Sequence, residues 1–360
     1  MKPLAGRRVL VAMSGGVDSS AAAALLIEQG AEVVGATTKN FCFAETDELP
    51  GRSCCSVDAV ADALNVCRAL GIDHRVVDET ARFQREVIDV FHAEYAAGRT
   101  PNPCVRCNSQ VRFPRFVEEA VAGGFDAVAT GHYARMFGAD DARFLARAAD
   151  RAKDQSYFLA AMAPALYPRV LFPLGDLQKV ETREVARRHG LHVADKRESQ
   201  DVCFLGGRTL RDYLGERERL TPGPVVVADG RVLGEHAGAA LFTVGQRHGL
   251  GVSAGRPLYV TRVDAATGEV ELGESADLAA RELRCRDAWV HPALVAAPDS
   301  PVAARIRYRG ADQPVASWSF GDGALAVRLA SPAGAAAPGQ SLVLYRDDSV
   351  VGHGIIDAVS

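Results

Sequence analysis

The stretch that most constrains the fold lies near the start of the chain, at residues 9–27. Residues 9–13 are apolar and predict a buried parallel strand, and residues 21–27 predict a helix. Between them runs Ser-Gly-Gly-Val-Asp-Ser-Ser, whose two glycines remove the Cβ atoms that would keep an anion from the backbone N–H groups. We expect Ser19 and Ser20 to cap the helix. Backbone donors and the positive end of a helix dipole together predict a phosphate or pyrophosphate site.

The loop also limits the chemistry of the site. It lacks the lysine that follows the last glycine of a Walker A loop, so transfer of a γ-phosphate is not indicated. Asp18 supplies a carboxylate beside the phosphates, where Mg²⁺ would be held. The alternative is a glycine-rich turn without a ligand. The motif resembles the SGGxDS loop of the PP-loop ATP pyrophosphatases, and this resemblance implies cleavage of ATP to AMP and pyrophosphate.

Length, charge and cysteine content narrow the class of protein. A chain of 360 residues is long enough for two or three domains. No apolar stretch approaches the ~20 residues that span a bilayer, and residues 1–8 are too few and too polar for a signal peptide, so we expect a cytoplasmic protein. The net charge of −4 argues against a broadly basic surface but leaves room for a local nucleic-acid-binding face. The eight cysteines are expected to be thiols, metal ligands or redox groups.

Strands alternate with helices through the first half of the chain, which predicts an α/β fold with a doubly wound parallel sheet. Further strands are predicted at 32–38, 74–78 and 126–131, and helices at 57–70, 80–97 and 179–189. Cys67 lies on the apolar side of its helix and is predicted to be a core residue. Residues 39–56 are long and polar and contain Cys42, Cys54 and Cys55. Their spacing fits no common zinc pattern, so a mobile loop is favoured over a metal loop.

A Cys-x-x-Cys pair, Cys104 and Cys107, follows two prolines in residues 98–108. The prolines predict a rigid turn that delivers the pair to the start of a helix, where the dipole stabilises a thiolate. We therefore predict reactive thiolates or metal ligands, with inert, half-buried cysteines as the alternative. Cys203 lies in a short apolar patch, and taken alone it is most simply a core residue.

The segment that ends the strand at 126–131 reads Thr-Gly-His-Tyr-Ala-Arg. Because ligands bind at the carboxyl ends of parallel strands, we expect Gly131 to let a nucleotide approach the backbone. His132 and Arg135 would face the same crevice. A structural histidine is the alternative for His132.

Two rows of basic residues have the periodicity of a helix and of a strand. The helical row, spaced by four, comprises Lys179, Arg183 and Arg187. The strand row, spaced by two, comprises Arg305, Arg307 and Arg309. Each row is compatible with a solvated face or with a track for the phosphates of an RNA.

From residue 221 onward the pattern changes to short apolar runs separated by glycine and proline. Strands are predicted at 225–227, 240–244, 258–263 and 270–272, and a glycine-rich loop at 243–251 carries two basic groups. A linker is predicted at 273–282. The strands that follow suggest a small antiparallel barrel and lie at 288–290, 302–308, 315–320, 324–329 and 341–346.

Taken together, these motifs make the sequence similar to the tRNA-uridine 2-sulfurtransferases (2-thiouridylases) over nearly the whole chain. The resemblance implies a PP-loop domain at 1–207, a small central β domain at 208–275 and a C-terminal β-barrel at 282–360. It implies that ATP and Mg²⁺ are used to adenylate the 2-oxygen of the wobble uridine in tRNAs for Lys, Glu and Gln, and that sulfur then replaces this oxygen. The implied partners are tRNA and a sulfur donor, either a cysteine desulfurase or a relay protein, with no membrane.

The resemblance also implies roles for individual residues. Cys107 corresponds to the nucleophile and Cys203 to the persulfide carrier. ATP would be bound by Ala12, Met13, Ser14, Gly15, Gly16, Val17, Asp18, Ser19, Thr38 and Gly131. Thr38 departs from the methionine frequent in the family, but a backbone contact survives this change. The tRNA would be bound by Asn102, Pro103, Cys104, His132, Lys153, Asp154, Gln155, Arg307, Tyr308, Arg309 and Gln340.

Cys104 is a second departure, since many relatives have aspartate there. Three cysteines suit an iron–sulfur cluster with one open iron better than a closed zinc site. We therefore hypothesise a [4Fe–4S] cluster on Cys104, Cys107 and Cys203, beside a persulfide route without a cluster. Two other functions stay open: a PP-loop amidating ligase, which would need no paired thiols, and a non-catalytic tRNA-binding protein.

Overall fold

The structure, a computed structural model, describes residues 4–40, 57–138, 143–197, 202–217, 220–252 and 255–360. Cys42, Cys54 and Cys55, together with most of the predicted mobile loop, lie outside these residues. The described residues form two compact units. The first lies within residues 1–87, 104–207 and 348–350, and the second within 88–103, 208–347 and 351–360. No helix in the described ranges is both long enough and apolar enough to span a membrane.

The first unit is built on a five-stranded parallel sheet, which confirms the predicted fold class. Its strands are β1 (Arg8–Ala12), β2 (Glu32–Lys39), β3 (His74–Asp78), β4 (Ala127–Thr130) and, after a hairpin of β5 (Ala134–Phe137) and β6 (Phe144–Arg147), β7 (Val170–Leu171). The strand order is β3-β2-β1-β4-β7. After Arg8, the central strand β1 is apolar because both of its faces are covered: Val9 and Val11 join one buried cluster, and Leu10 joins another.

Some of the helices in this part of the chain contact strands of the sheet, and two π-helical turns join successive helices. Through residue 188 the helices are α1 (Val17–Glu28), α2 (Val57–Leu70), α3 (Thr80–Phe83), α4 (Asp89–Ala96), α5 (Pro103–Arg106), α6 (Phe113–Ala122), α7 (Ser156–Leu159) and α8 (Lys179–Arg188). A π-helical turn, Gln84–Ile88, joins α3 to α4, and another, Cys107–Arg112, joins α5 to α6. Such turns often occur at functional positions. Cys67 is fully buried, as predicted.

The second unit contains a small sheet with the strand order β10-β11-β8-β9. Helix α9 (Leu210–Arg217) precedes strands β8 (Gly223–Val227), β9 (Val232–His236), β10 (Tyr259–Asp264) and β11 (Glu269–Gly273). The strand predicted at 240–244 is wrong, since Ala239–Leu241 forms a 3₁₀ turn. Phe242, which follows this turn, still packs into the sheet's apolar core. Apolar composition alone did not distinguish a buried turn from a buried strand.

A six-stranded antiparallel barrel follows, closed by pairing of its first and last strands. Its elements are β12 (Ala279–Val290), α10 (Pro292–Val295), β13 (Ala303–Arg305), β14 (Gln313–Gly321), β15 (Ala324–Gly334), β16 (Ser341–Arg346) and β17 (Ser349–Val359). The linker predicted at 273–282 is partly wrong, because residues 279–282 belong to β12, the strand that closes the barrel. Strand β12 begins at Ala279 because it pairs with β15 on one side and β17 on the other.

Candidate active site

The glycine loop between β1 and α1 keeps its shape through backbone packing. Gly15 has φ +68°, and a Cβ there would lie 2.2 Å from the Ala59 carbonyl oxygen. Gly16 is the N-cap residue of α1 and has no side-chain cap, so the serine caps we predicted are wrong. The hydroxyls of Ser19 and Ser20 instead donate back to the Gly16 carbonyl, at 3.2 and 2.8 Å. Both serines lie within the first turn, where this backbone oxygen is in reach.

Gly131, the residue after β4, packs directly against the glycine loop. Strand β4 pairs with β1 so that Thr130 lies opposite Ala12. A Cβ on Gly131 would lie 2.5 Å from the Ser19 backbone nitrogen and 2.6 Å from the Asp18 carbonyl carbon. The carboxyl end of β4 therefore lies against the glycine loop, as the sheet topology predicts.

Asp18 is held by groups that come from distant parts of the chain. The Lys179 Nζ donates to Asp18 Oδ1 at 2.6 Å. The Tyr133 hydroxyl lies 3.1 Å from the same oxygen and 2.8 Å from Thr182 Oγ1. Because a carboxylate only accepts, the Tyr133 hydroxyl donates to Asp18. The loop thus acquires from α8 the lysine that its own sequence lacks.

A second lysine contacts the loop backbone. The Lys196 Nζ donates to the Gly15 carbonyl at 3.1 Å and also contacts the Asp62 carboxylate. Although burial acts to raise it, hydrogen bonds from Lys196 and His192 hold the pKa of Asp62 below its usual value. Neither lysine had a local sequence signal for this role, and Lys179 was noticed only as part of a periodic basic row.

The three cations of that helical row have separate partners within the first unit. Lys179 reaches Asp18, whereas Arg183 donates to the backbone carbonyls of Ala194 and Lys196. Arg187 pairs with Asp195 at 2.9 Å. The shared helix face is thus not a uniform row of solvated charges.

The other side of the loop is built on β2. Thr38 and Met13 are buried, and Thr37 Oγ1 donates to the Met13 carbonyl at 2.8 Å. Thr37 Oγ1 lies 2.9 Å from His74 Nε2. Since the Thr37 proton is already used, His74 Nε2 carries the proton and donates. Burial lowers the pKa of His74, which keeps the ring neutral and suited to this role. No local sequence pattern indicates this pair.

The two cysteines expected to be catalytic lie on segments joined through α3. Cys107 is a buried thiol at the start of the second π-helical turn, and Cys203 is a partly exposed thiol at the start of the 3₁₀ turn Cys203–Leu205. The Phe204 ring packs edge-on against Phe83 of α3 with 6.1 Å between centroids. Helix α3 in turn contacts the π-helical turn that begins at Cys107. Arg106 links the two π-helical turns by donating to the Glu86 carbonyl and to its carboxylate.

The ligand set hypothesised for an iron–sulfur cluster is not assembled. Among the residues that the structure describes, no three His, Cys, Asp or Glu side chains are grouped so as to hold a metal ion. Cys104, Cys107 and Cys203 therefore do not fit a cluster in this arrangement, and we assign no step to one.

Several residues expected to contact tRNA have structural partners. Asp154 is buried and accepts from the Ala148 nitrogen at 3.0 Å and from the Ser156 hydroxyl at 2.9 Å. Gln155 Oε1 accepts from the Tyr133 nitrogen at 2.9 Å, whereas Lys153 is partly exposed. Gln155 therefore also positions the tyrosine that contacts Asp18.

His132 and Arg135 do not share one environment. The Nδ1 of His132 lies 2.8 Å from Thr130 Oγ1, and its ring packs near Phe113. Arg135 donates to the Arg147 carbonyl and to Asp348 at 2.9 Å. The expectation that Arg135 faces the nucleotide crevice is therefore wrong, because its guanidinium is directed to the β5–β6 hairpin and the start of β17.

In the second unit, Gln340 is joined to the loop that leads to Asn102 and Pro103. Its Nε2 donates to the Thr100 carbonyl at 2.7 Å, and the Thr100 nitrogen donates to the Pro338 carbonyl at 2.8 Å. Gln340 thus braces this loop through a contact within the protein itself.

The row of arginines at 305, 307 and 309 is not a strand face. Strand β13 ends at Arg305, which pairs with Asp312 at 2.8 Å and lies over the Tyr345 ring. Arg307 and Arg309 are exposed in the turn that follows, with Tyr308 partly exposed between them. The predicted alternation along a strand at 302–308 is therefore wrong, although two exposed cations do lie here.

Three family models match successive regions of the chain. Residues 7–207 match a family model described as the tRNA methyl transferase HUP domain, residues 208–274 its PRC-barrel domain, and residues 287–356 the aminomethyltransferase beta-barrel domain.

Full-length relatives agree with these matches. The chain is 46% identical over 360 residues to a protein of Mycolicibacterium vanbaalenii, with 98% of this chain and 99% of the relative covered. It is 45% identical over 345 residues to a protein of Mycobacterium avium, with 95% of each covered. It is 44% identical over 357 residues to a protein of Moorella thermoacetica, covering 98% and 99%. All three are named tRNA-specific 2-thiouridylase MnmA. The chain therefore belongs to the tRNA-specific 2-thiouridylase MnmA family.

Proposed function

We propose that this protein is an ATP-dependent sulfurtransferase that converts the wobble uridine of tRNA to 2-thiouridine. Its family membership supports the reaction class. One observation carries the assignment: a single compact unit contains both a glycine loop carrying Asp18 and two cysteines, Cys107 and Cys203, on segments joined through α3. The preference for tRNAs for Lys, Glu and Gln, the domain limits 1–207, 208–275 and 282–360, and a cytoplasmic location are parts of this proposal.

In the first half-reaction ATP is bound by residues 12–19, Thr38 and Gly131. Asp18 offers the oxygen ligand that Mg²⁺ prefers, and the bound ion would neutralise triphosphate charge. A uridine carbonyl is a poor electrophile because its oxygen is a poor leaving group. The 2-oxygen bonds to the α-phosphorus, and pyrophosphate departs with the electron pair of the broken bond. AMP on the oxygen then makes it a good leaving group.

In the second half-reaction Cys203 carries a persulfide supplied by a sulfur donor protein. Its terminal sulfur bonds to C2 of the uridine, and AMP leaves with the former 2-oxygen. The Cys107 thiolate attacks the Cys203 sulfur, which leaves the transferred sulfur on the base and forms a Cys107–Cys203 disulfide. An external thiol reductant restores both cysteines.

The binding residues of the tRNA are also proposed. Asn102, Pro103 and Cys104 would contact the target base. The remaining contacts would come from His132, Lys153, Asp154, Gln155, Arg307, Tyr308, Arg309 and Gln340, with Asp154, Gln155 and Gln340 acting chiefly through the segments they brace.

The proposal is tested with ATP, tRNA and a persulfide donor. We expect AMP, pyrophosphate and 2-thiouridine as products, and Asp18→Ala should abolish AMP formation. Cys107→Ser and Cys203→Ser should retain tRNA-dependent pyrophosphate exchange but lose thiolation. Iron-free protein should keep full activity, and the Cys104→Ala variant should still form 2-thiouridine, with at most a weaker affinity for tRNA. Formation of ADP, or an amidated product, would contradict the proposal, and a strict requirement for iron would overturn its second half.

A further inference from the structure

The glycine loop contains an acidic residue but no basic one. In the folded chain its cation comes from α8, since the Lys179 Nζ lies 2.6 Å from Asp18 Oδ1 across 161 residues of sequence. Only 14% of the Lys179 side chain is exposed, compared with 48% for Arg187 two turns further along the same helix. The Lys179 ammonium therefore lies against the glycine loop and not on the exposed surface of α8.

Besides Asp18, two contacts set the position of Lys179. Its backbone nitrogen donates to Asp150 Oδ2 at 3.0 Å, at a helix start closed by a capping box between Gln178 and Glu181. Its ammonium lies 5.5 Å from the centre of the Tyr133 ring, within the range of a cation–π contact. The Tyr133 hydroxyl in turn donates to Asp18. The ammonium is thus held beside the loop by fixed groups on both sides.

We propose that Lys179 is the cation that binds the triphosphate of ATP: it neutralises Asp18 in the nucleotide-free protein and contacts the β- and γ-phosphate oxygens once ATP is bound. Asp18 would hold Mg²⁺ as well, so the ion would compete with Lys179 for this carboxylate. With ATP bound, the ammonium would exchange one anionic partner for another. A compact ammonium suits this exchange, since it binds phosphate as a point charge. During adenylation the same group stabilises the negative charge on the departing pyrophosphate.

This inference rests on the proposed use of ATP but not on thiolation. The simpler role, in which Lys179 is only a counter-ion to Asp18, predicts a different change in nucleotide affinity when the lysine is removed. A pure counter-ion competes with Mg²⁺ for the carboxylate, so its removal would leave nucleotide affinity equal or tighter. A phosphate ligand loses a charge-assisted contact when removed, so affinity would fall by about 10- to 100-fold.

The test measures binding without tRNA, by calorimetry with Mg²⁺ and three ligands: α,β-methylene-ATP, pyrophosphate and AMP. Lys179→Met keeps the length of the side chain and removes the charge. We expect it to weaken binding of the analogue and of pyrophosphate by about 10- to 100-fold, with AMP binding little changed. Circular dichroism checks that the variant, in which Asp18 loses a counter-charge, is still folded. Lys179→Arg should recover part of the affinity. Arg187→Met on the same helix is the matched control and should alter no nucleotide affinity.

Three results would overturn the inference. They are unchanged or tighter binding of the analogue by Lys179→Met, an equal loss for AMP, and a loss of tRNA affinity with intact nucleotide binding. A failure of the proposed function looks different. If the wild-type protein binds ATP through Lys179 but forms no 2-thiouridine under the conditions above, this inference stands and the assignment as a sulfurtransferase falls.

Discussion

The absence of a Cβ atom at Gly131 lets the glycine loop pack closely against the end of β4. The backbone of Asp18 and Ser19 occupies the space that a Cβ at this position would fill. The oriented N–H groups of the loop therefore depend on a residue more than a hundred positions away. Close backbone packing at Gly131 thus helps to set the position of the loop relative to β4.

Gly131→Ala should accordingly weaken both the fold and nucleotide binding. The added carbon meets backbone atoms that cannot swing aside, so we expect a loss of about 2 kcal/mol in the free energy of unfolding. Binding of α,β-methylene-ATP should also weaken, because the loop must shift. Chemical denaturation and calorimetry measure the two effects. Gly334→Ala is the control, since its Cβ would meet no described atom within 4 Å. Equal losses in both variants would contradict this account.

Burial separates structural thiols from reactive ones. It raises the pKa of Cys67 to about 11, and together with Asp357 it raises the pKa of Cys285 to about 12. Both groups therefore stay protonated near pH 8. We expect iodoacetamide at this pH to modify Cys203 and Cys104 and to spare Cys67 and Cys285, as read by peptide mass spectrometry.

The raised pKa of Cys67 also makes the stability of the fold depend on pH. The folded pKa of Cys67 lies above the ordinary value of 9.0, so its contribution to stability is complete below pH 9 and is lost as pH rises through 11. Modification of Cys67 at pH 8 in folded protein would show that this residue is more exposed than the structure has it.

At the scale of elements, helix α4 and the barrel strand β12 hold the loop that leads to Asn102. Glu94 of α4 accepts two hydrogen bonds from Arg99, each 2.8 Å long, and two from Arg286 of β12. Burial acts to raise the pKa of Glu94, but the two guanidiniums outweigh it and lower the pKa below 4.5. The carboxylate thus joins a helix, a loop and a strand within the second unit.

Glu94→Gln should destabilise the protein by about 2 kcal/mol at pH 7, because two guanidiniums lose their shared counter-charge. Since the folded pKa is lowered, the wild-type contribution exists above pH 4.5 and disappears as pH falls through the folded value. The difference between variant and wild type, measured by urea denaturation, should therefore shrink as the pH falls below 4.5. The exposed Glu282, 3.8 Å from Arg328, is the control, and Glu282→Gln should cost less than about 0.5 kcal/mol. A Glu94→Gln effect that does not vary with pH would argue against the ion-pair explanation.

For the molecule as a whole, the net charge of −4 means that any tRNA-binding face must concentrate its cations. Many arginines are already engaged, such as Arg262, which pairs with Glu269 and Glu271. Arg307 and Arg309 are exposed in the turn after β13. They are therefore the stronger candidates for phosphate contacts in this domain.

Arg307→Ala and Arg309→Ala should each flatten the dependence of log affinity for tRNA on log salt concentration by about 0.7 to 0.9. Filter binding across a salt series measures this slope. Arg262→Ala is the matched control and should leave it unchanged. An unaltered slope for both turn variants would remove this region from the tRNA-binding surface.

Several strands of the structure were missed or shortened in the prediction from sequence. Strand β17 was not predicted because Gly352 and Gly354 lower its β propensity, yet a Cβ at these positions would approach Leu344 and Cys285 of neighbouring strands. The β5–β6 hairpin and β9 were missed as well, and β12 was shortened by a predicted linker. Strand β12 pairs with β15 and β17, which are remote in sequence, so local composition carries little of the signal for this strand.

The sequence by itself determined the glycine loop, the parallel order of strands and helices, the Cys-x-x-Cys pair and the family. These features depend on periodicity and spacing, which neighbouring residues encode. Only the tertiary structure decided that Lys179 supplies the cation of the loop, that Gly131 packs against Asp18 and Ser19, and that Gln340 braces Thr100. Each of these contacts joins residues more than a hundred positions apart. Such contacts form because the apolar faces of helices and strands must be buried together, and no local pattern reports which side chains that burial makes neighbours.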